Sequence, residues 1–118
     1  MASSGILVLV LVLIPTSVHA QETITVTHYG TPYNGSPLGC GGYYEASNPT
    51  ILAVGPSHYE DIPCGATVTL RGPTNNTLTV VRQDSCPGCT SLTFDLSEAA
   101  NEILCGAPAH TCEAIRLE

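Results

Sequence analysis

Two carboxylates, Asp84 and Asp95, lie in one stretch from Thr79 to Leu104 that breaks at Asp84-Ser85-Cys86-Pro87-Gly88-Cys89 and resumes at Leu92-Thr93-Phe94. Glycoside cleavage uses two acids flanking the bond, a protonated donor and a base or nucleophile. Asp95 follows Phe94, where partial burial would raise its pKa and suit a proton donor, with Asp84 as its companion. Structural roles compete with this chemistry. Asp95 is placed to cap a helix, and Asp84 to make an Asx-turn before Pro87. Thr27 and Tyr29 share one strand face and could line the same groove, though a threonine-rich face is often just solvated. Tyr43 and Tyr44 offer flat platforms for sugar rings, or packing over a glycine-rich loop.

Other chemistries fit less well. Cys86-x-x-Cys89 has metal-ligand spacing, but no second pair matches it and His28, His58 and His110 are scattered, so no metal is expected. Cysteine nucleophilic catalysis is disfavoured because all six cysteines are expected to be bonded. No phosphate-binding glycine loop precedes a helix and no Gly-x-Ser-x-Gly elbow occurs, so no cofactor is expected.

The elements that must position these residues are mostly strands. Glu22 to Tyr29 alternates threonine with isoleucine and valine, with Ile24, Val26 and His28 on one face. A glycine-rich loop from Gly30 to Gly42 leads to a second strand in the run Thr50 to Val54. Thr67 to Arg71 alternates cleanly, turns at Gly72 to Asn76, and is expected to pair antiparallel with Thr77 to Arg82. One helix is expected over Leu96 to Leu104, capped by Asp95 or Ser97 and stopped by Gly106 and Pro108. Its apolar face would hold Leu96, Ala99 or Ala100, and Ile103. Cys112 to Leu117 reads as a closing strand. Short strands with one helix indicate a small β-barrel.

The first twenty residues read as a signal peptide: an apolar run from Ile6 to Ile14, then Pro15, then small residues at Val18 and Ala20 before a cut at Gln21. The run is too short to span a bilayer, so secretion rather than membrane anchoring is expected. The mature part, Gln21 to Glu118, is one small domain that needs staples. Cys40, Cys64, Cys86, Cys89, Cys105 and Cys112 supply them in an oxidising compartment. Six cysteines allow fifteen connectivities, and the sequence does not choose among them. Cys86 with Cys89 and Cys105 with Cys112 are local closures that would leave Cys40 with Cys64. Three basic residues against ten acidic ones give a net charge of −7, which disfavours nucleic acid as a partner. Asn34 and Asn75 head glycosylation sequons; Asn48 is excluded by Pro49.

The residues resemble those of the fungal loosenin or expansin-like family. The marks are Thr27-His28-Tyr29-Gly30, Cys40-Gly41, Ile51 to Val54, Cys64-Gly65, Val80 to Cys89, and Phe94-Asp95-Leu96-Ser97. The resemblance implies a mainly β fold, a six-stranded double-psi β-barrel with one short helix, stapled by disulfides. It implies action on cell-wall polysaccharide such as cellulose, chitin or a related glucan. By resemblance, Asp95 falls on the aspartate that aligns with the catalytic acid of related endoglucanases, Asp84 on a second groove aspartate, and Thr27 on a groove threonine.

Two departures matter. Those endoglucanases carry a base aspartate after the first-strand tyrosine, where Gly30 and Thr31 stand here, and a groove tyrosine of some bacterial expansins is Cys86 here. An acid without a partner activates no water, so loosening without hydrolysis is expected. No second β-sandwich domain with its aromatic stripe is seen, so weak binding to crystalline surfaces is expected; with no sign of an oligomer in the sequence, a monomer is expected. The alternatives are a lytic enzyme, glucanase or lytic transglycosylase, and a secreted protease inhibitor or effector.

Overall fold

The computed structural model describes Gly5 and residues 21–106 and 111–117. The rest of the expected signal segment, Pro108, His110 and Glu118 lie outside the described residues. The strands are β1 (Glu22–Tyr29), β2 (Ile51–Val54), β3 (Thr67–Arg71), β4 (Thr77–Ser85), β5 (Thr93–Ser97) and β6 (Cys112–Arg116), with one helix, α1 (Glu98–Cys105), between the last two strands. They close into a barrel in the order β1-β5-β2-β4-β3-β6. Two neighbouring pairs run parallel, β1 with β5 and β2 with β4, and the others antiparallel. Parallel neighbours need long crossovers, and the chain supplies them: β3 intervenes between β2 and β4, and β2, β3 and β4 between β1 and β5.

Alternation along each strand separates an inner and an outer face. Ile24, Val26, Leu52, Val54, Val68, Leu70, Val80, Phe94 and Leu96 turn inward and form the core with Ile62, Ala100, Leu104 and Ala114. A second cluster lies outside the barrel. Leu38, Tyr44 and Ala46, from the long segment between β1 and β2, pack on the outward side of Ile51 with Tyr29 against them. The segment therefore covers part of the barrel wall rather than looping free.

Within that segment a small hairpin folds back. Gly35 donates to the Tyr44 carbonyl, Tyr44 to that of Ser36, and Leu38 to that of Gly42. Gly41 (φ 103°) and Gly42 (φ 78°) turn its tip in a backbone region that side chains disfavour. The tip is bonded to the barrel three times: Gly39 N–H donates to Asp84 Oδ1 at 2.7 Å, Cys40 N–H to the Gln83 carbonyl at 3.0 Å, and Cys40 is joined to Cys64. The other disulfides are Cys86–Cys89 and Cys105–Cys112, so the described cysteines are all bonded.

Several sequence expectations change at the β5–α1 junction. The helix starts at Glu98, not Leu96, and Asp95 is the middle residue of β5 rather than a cap. Leu96 pairs with both His28 and Leu52, and these two ladders outweigh the local capping pattern. Ser97 is the cap: its hydroxyl accepts from Ala100 N–H and donates to the Asn48 carbonyl. The buried helix face is Ala100, Asn101 and Leu104, while Ile103 is exposed. Leu92 is exposed and precedes the strand. β4 runs on through Asp84 to Ser85 instead of breaking at Asp84.

Polar anchors fix the loops around the groove. Arg82 is buried and donates to the carbonyls of Asp84 and Ile62 and to the Ser85 hydroxyl, with Tyr59's ring 4.8 Å below its guanidinium. His58 faces acceptors with both ring nitrogens, the Asp61 carboxylate at 3.2 Å and the Ser91 carbonyl at 2.6 Å. Burial would push the Asp61 carboxyl up, but hydrogen bonds and charge from His58 and Arg116 outweigh it and hold it below its ordinary value. Among the described residues no helix is long and apolar enough to cross a membrane.

Candidate functional site

A β-bulge decides where Asp84 points. Val80 and Arg82 are buried on the inner side of β4, and strict alternation would send Asp84 inward too. The β2–β4 register instead steps from Leu52↔Arg82 to Ala53↔Asp84, leaving Gln83 unpaired. The extra residue reverses the phase and turns Asp84 onto the outer face. It also frees the Gln83 carbonyl for Cys40.

The outcome is a row across four adjacent strands. Thr27 on β1 pairs with Asp95 on β5, Asp95 with Ala53 on β2, and Ala53 with Asp84 on β4. Two strand spacings separate the aspartates, about 9–10 Å between α-carbons, and Ala53's methyl forms a low floor between them. Asp95, Ala53 and Asp84 line an open groove of about 310 Å³ together with Tyr29, Tyr33, Pro37, Leu38 and Pro87, while Thr27 stands behind Asp95 and outside the lining.

The two carboxylates are held differently. Both oxygens of Asp84 are occupied, Oδ1 by Gly39 N–H and Oδ2 by the Tyr29 hydroxyl at 3.0 Å. Asp84 therefore ties the hairpin tip and Tyr29 to the groove floor. Asp95 accepts one hydrogen bond, from the Thr27 hydroxyl to Oδ1 at 2.9 Å. Its Oδ2 has no intramolecular partner among the described residues. Burial raises the Asp95 carboxyl above its ordinary value; the Thr27 bond and nearby His28 oppose the rise, and Asp84 adds to it. Asp95 is thus a half-buried acid with one open oxygen.

The tyrosines divide sharply. Tyr29's ring stacks on Tyr44 with centroids 4.1 Å apart, and its phenol is pushed up first by burial and then by the charge of Asp84. Tyr44, expected as a sugar platform, is fully buried and borders the groove from beneath Tyr29. Its hydroxyl donates to the Tyr29 carbonyl and accepts from Glu98 N–H, so it supports Tyr29 from below. Tyr43 is 71% exposed but lies on the hairpin outside the groove lining. Tyr33 was missed in the sequence. It is 54% exposed, lines the groove, and meets Tyr29 edge-on at 5.8 Å. Its place in a Thr-Pro-Tyr turn between two glycines gave no periodic signal.

The remaining expected residues lie elsewhere. Asn34 follows Tyr33 and is exposed, with its Oδ1 accepting from Ala46 N–H. Asn75 is exposed at the β3–β4 turn, the end of β4 opposite Asp84. Glu98 Oε2 approaches the Gly30 end of β1, outside the residues lining the groove. Among the described residues no three His, Cys, Asp or Glu side chains gather to hold a metal.

No family model and no curated protein matches this sequence. Solved structures do match it. A Streptomyces papain inhibitor superposes with a TM-score of 0.65 at 22% identity, covering 85% of this chain and 94% of the inhibitor. The apo expansin of Clavibacter michiganensis gives 0.66 at 25% identity over 82% of this chain. An aspartate-to-asparagine variant of that expansin, solved in complex with cellohexaose, gives 0.66 at 24%.

The barrel is of the double-psi type.

This chain spans about half of the expansin, 49% of its length, and nearly all of the inhibitor. At such identities the likeness is one of fold, and the groove must be read from its own residues.

Proposed function

We propose that this protein is a secreted, expansin-like protein that binds cell-wall polysaccharide in the groove and loosens it without hydrolysis. One observation carries the reading: Asp95 presents a single open carboxyl oxygen to the groove, whereas Asp84 has both oxygens engaged. A carboxyl with a raised pKa can donate a hydrogen bond or proton to a glycosidic oxygen. Hydrolysis further needs a free base or nucleophile placed across the bond, and Asp84 is bound to Gly39 and Tyr29 instead. Thr27 fixes the rotamer of Asp95, and Asp84 positions the groove wall. Displacing one glucan chain from its neighbours requires only that the groove compete for their hydrogen bonds. The cellohexaose complex of an expansin with the same fold supports a glucan as ligand. Closed disulfides and the leader-like residues 1–20 support secretion.

The test compares wild type with Asp95→Asn on cellulose and on chitin, read in the same tubes for suspension swelling and for soluble sugar. Swelling without sugar, lost in the variant, is expected. Soluble products that vanish in the variant would overturn the non-hydrolytic reading, and their loss in Glu98→Gln would identify a second acid.

The near-complete coverage of the papain inhibitor favours a second reading, inhibition of a cysteine protease through the loops. Papain inhibition that survives Asp95→Asn, with no polymer effect in either protein, would establish that reading in place of the first.

A further inference from the structure

A sugar ring in the groove needs a flat apolar surface to rest on. The chain has no tryptophan, one phenylalanine and five tyrosines. Phe94 and Tyr44 are fully buried. Tyr59 is half-buried beneath the Arg82 guanidinium. One face of Tyr29 lies on Tyr44 and its hydroxyl is held by Asp84. Tyr43 is open but does not line the groove.

We propose that Tyr33 is the stacking platform of the groove and sets the register of a bound sugar chain against Asp95. This rests on the polysaccharide reading and names the contact that would give it specificity. An exposed tyrosine is ordinary by itself; the arrangement around this one is not. Its backbone is pinned on both sides, Tyr33 N–H donating to the Gly30 carbonyl and its own carbonyl accepting from Ser36 N–H. Pro32 fixes the preceding turn. Tyr29 braces it edge-on, an arrangement suited to the ring quadrupoles, and leaves it uncovered. A rigid aromatic on two rotatable bonds loses little entropy on binding.

The ligand chemistry follows from the two ends of the site. Tyr33 offers a flat apolar surface and Asp95 an open oxygen. A pyranose ring has an apolar C–H face and a polar rim of hydroxyls, so it can stack on the one while its neighbour along the chain bonds the other. Pro37 and Pro87 add apolar ring walls to the same groove.

The experiment is a calorimetric titration of the full disulfide-bonded chain with cellohexaose and with chitohexaose, supplemented by pull-down on insoluble cellulose and chitin. Tyr33→Ala is expected to weaken binding about tenfold or more. Tyr33→Phe keeps the face and is expected to stay within about twofold of wild type. Leu92→Ala, an exposed apolar truncation beyond the groove, should leave affinity unchanged. Wild-type affinity in Tyr33→Ala, or a loss confined to Tyr43→Ala, would overturn the assignment while leaving the polysaccharide reading intact. An equal loss in Tyr33→Phe and Tyr33→Ala would also overturn it, since the hydroxyl would then carry the contact. A wild-type protein that binds neither oligosaccharide nor either polymer would overturn the polysaccharide reading itself.

Discussion

Asp95 and Asp61 illustrate how two aspartates on one small barrel take opposite parts in stability. Burial raises Asp95, so its charged form is the less favoured in the folded state. Its contribution is fully present below the unfolded value, near 3.8, and is lost as pH rises through the higher folded value. Ionised Asp95 therefore opposes folding at neutral pH. Asp95→Asn keeps an oxygen for Thr27 and removes the charge. The variant is expected to melt above wild type at pH 7, with the gap closing by about pH 3, where both side chains are neutral. Thermal melts at the two pH values check this, and a constant gap would show that burial of the charge is not the cause. Asp61 is lowered by His58 and Arg116, so its contribution is present above the ordinary value and lost as pH falls through the folded one. The stability conceded at Asp95 is what the proposed role of a groove acid would require.

At the scale of elements, close backbone contacts set the groove rim. Gly55 ends β2 beneath the Cys86–Cys89 loop, and a Cβ there would lie 2.2 Å from the Cys89 carbonyl oxygen. Backbone would have to move, carrying Cys86 and Pro87 away from the groove. Gly55→Ala is expected to cost about 1–3 kcal/mol in urea denaturation. Gly88 in the same loop has nothing within 4 Å of its would-be Cβ, so Gly88→Ala should cost little. Equal costs at the two glycines would mean that loop flexibility, not the contact, decides. The bulge at Gln83 acts on the same scale. It moves one side chain between faces and simultaneously offers the carbonyl that receives the hairpin tip, so groove and wall form together.

For the whole molecule, the Cys40–Cys64 bridge joins the outer hairpin to the loop before β3 across 24 residues. Constraining a loop of that length stabilises by about 3–4 kcal/mol in the chain-entropy account, against about 2 for the three-residue separation of Cys86–Cys89. Replacing Cys40 and Cys64 together by serine should lower the melting temperature more than replacing Cys86 and Cys89. It should also weaken oligosaccharide binding, because the tip that carries Gly39 onto Asp84 loses its covalent anchor. If the two double variants melt alike, the bridge works through local packing rather than loop closure. The hairpin and its apolar underside of Leu38, Tyr44 and Ile51 convert one face of a barrel into a groove.

Much of this was legible in order along the chain. Alternation in Glu22 to Tyr29 and Thr67 to Arg71, the paired strand after Asn76, and an even cysteine count are local properties, and they emerge as strands and staples. The motif around Phe94-Asp95-Leu96-Ser97 pointed to the double-psi barrel through its resemblance to expansin-like proteins. Three features were decided only by tertiary contact. Asp95 reads as a helix cap in isolation and becomes a strand residue because β1 and β2 pair with it from both sides. Tyr44 reads as a platform and is buried because Ile51 offers an apolar patch on the outside of the barrel, which no one-dimensional pattern reveals. Asp84 reads as half of a catalytic pair. The bulge turns it outward, and the hairpin tip and Tyr29 take one oxygen each, since register and long-range hydrogen bonds are properties of the closed barrel and not of the sequence around them.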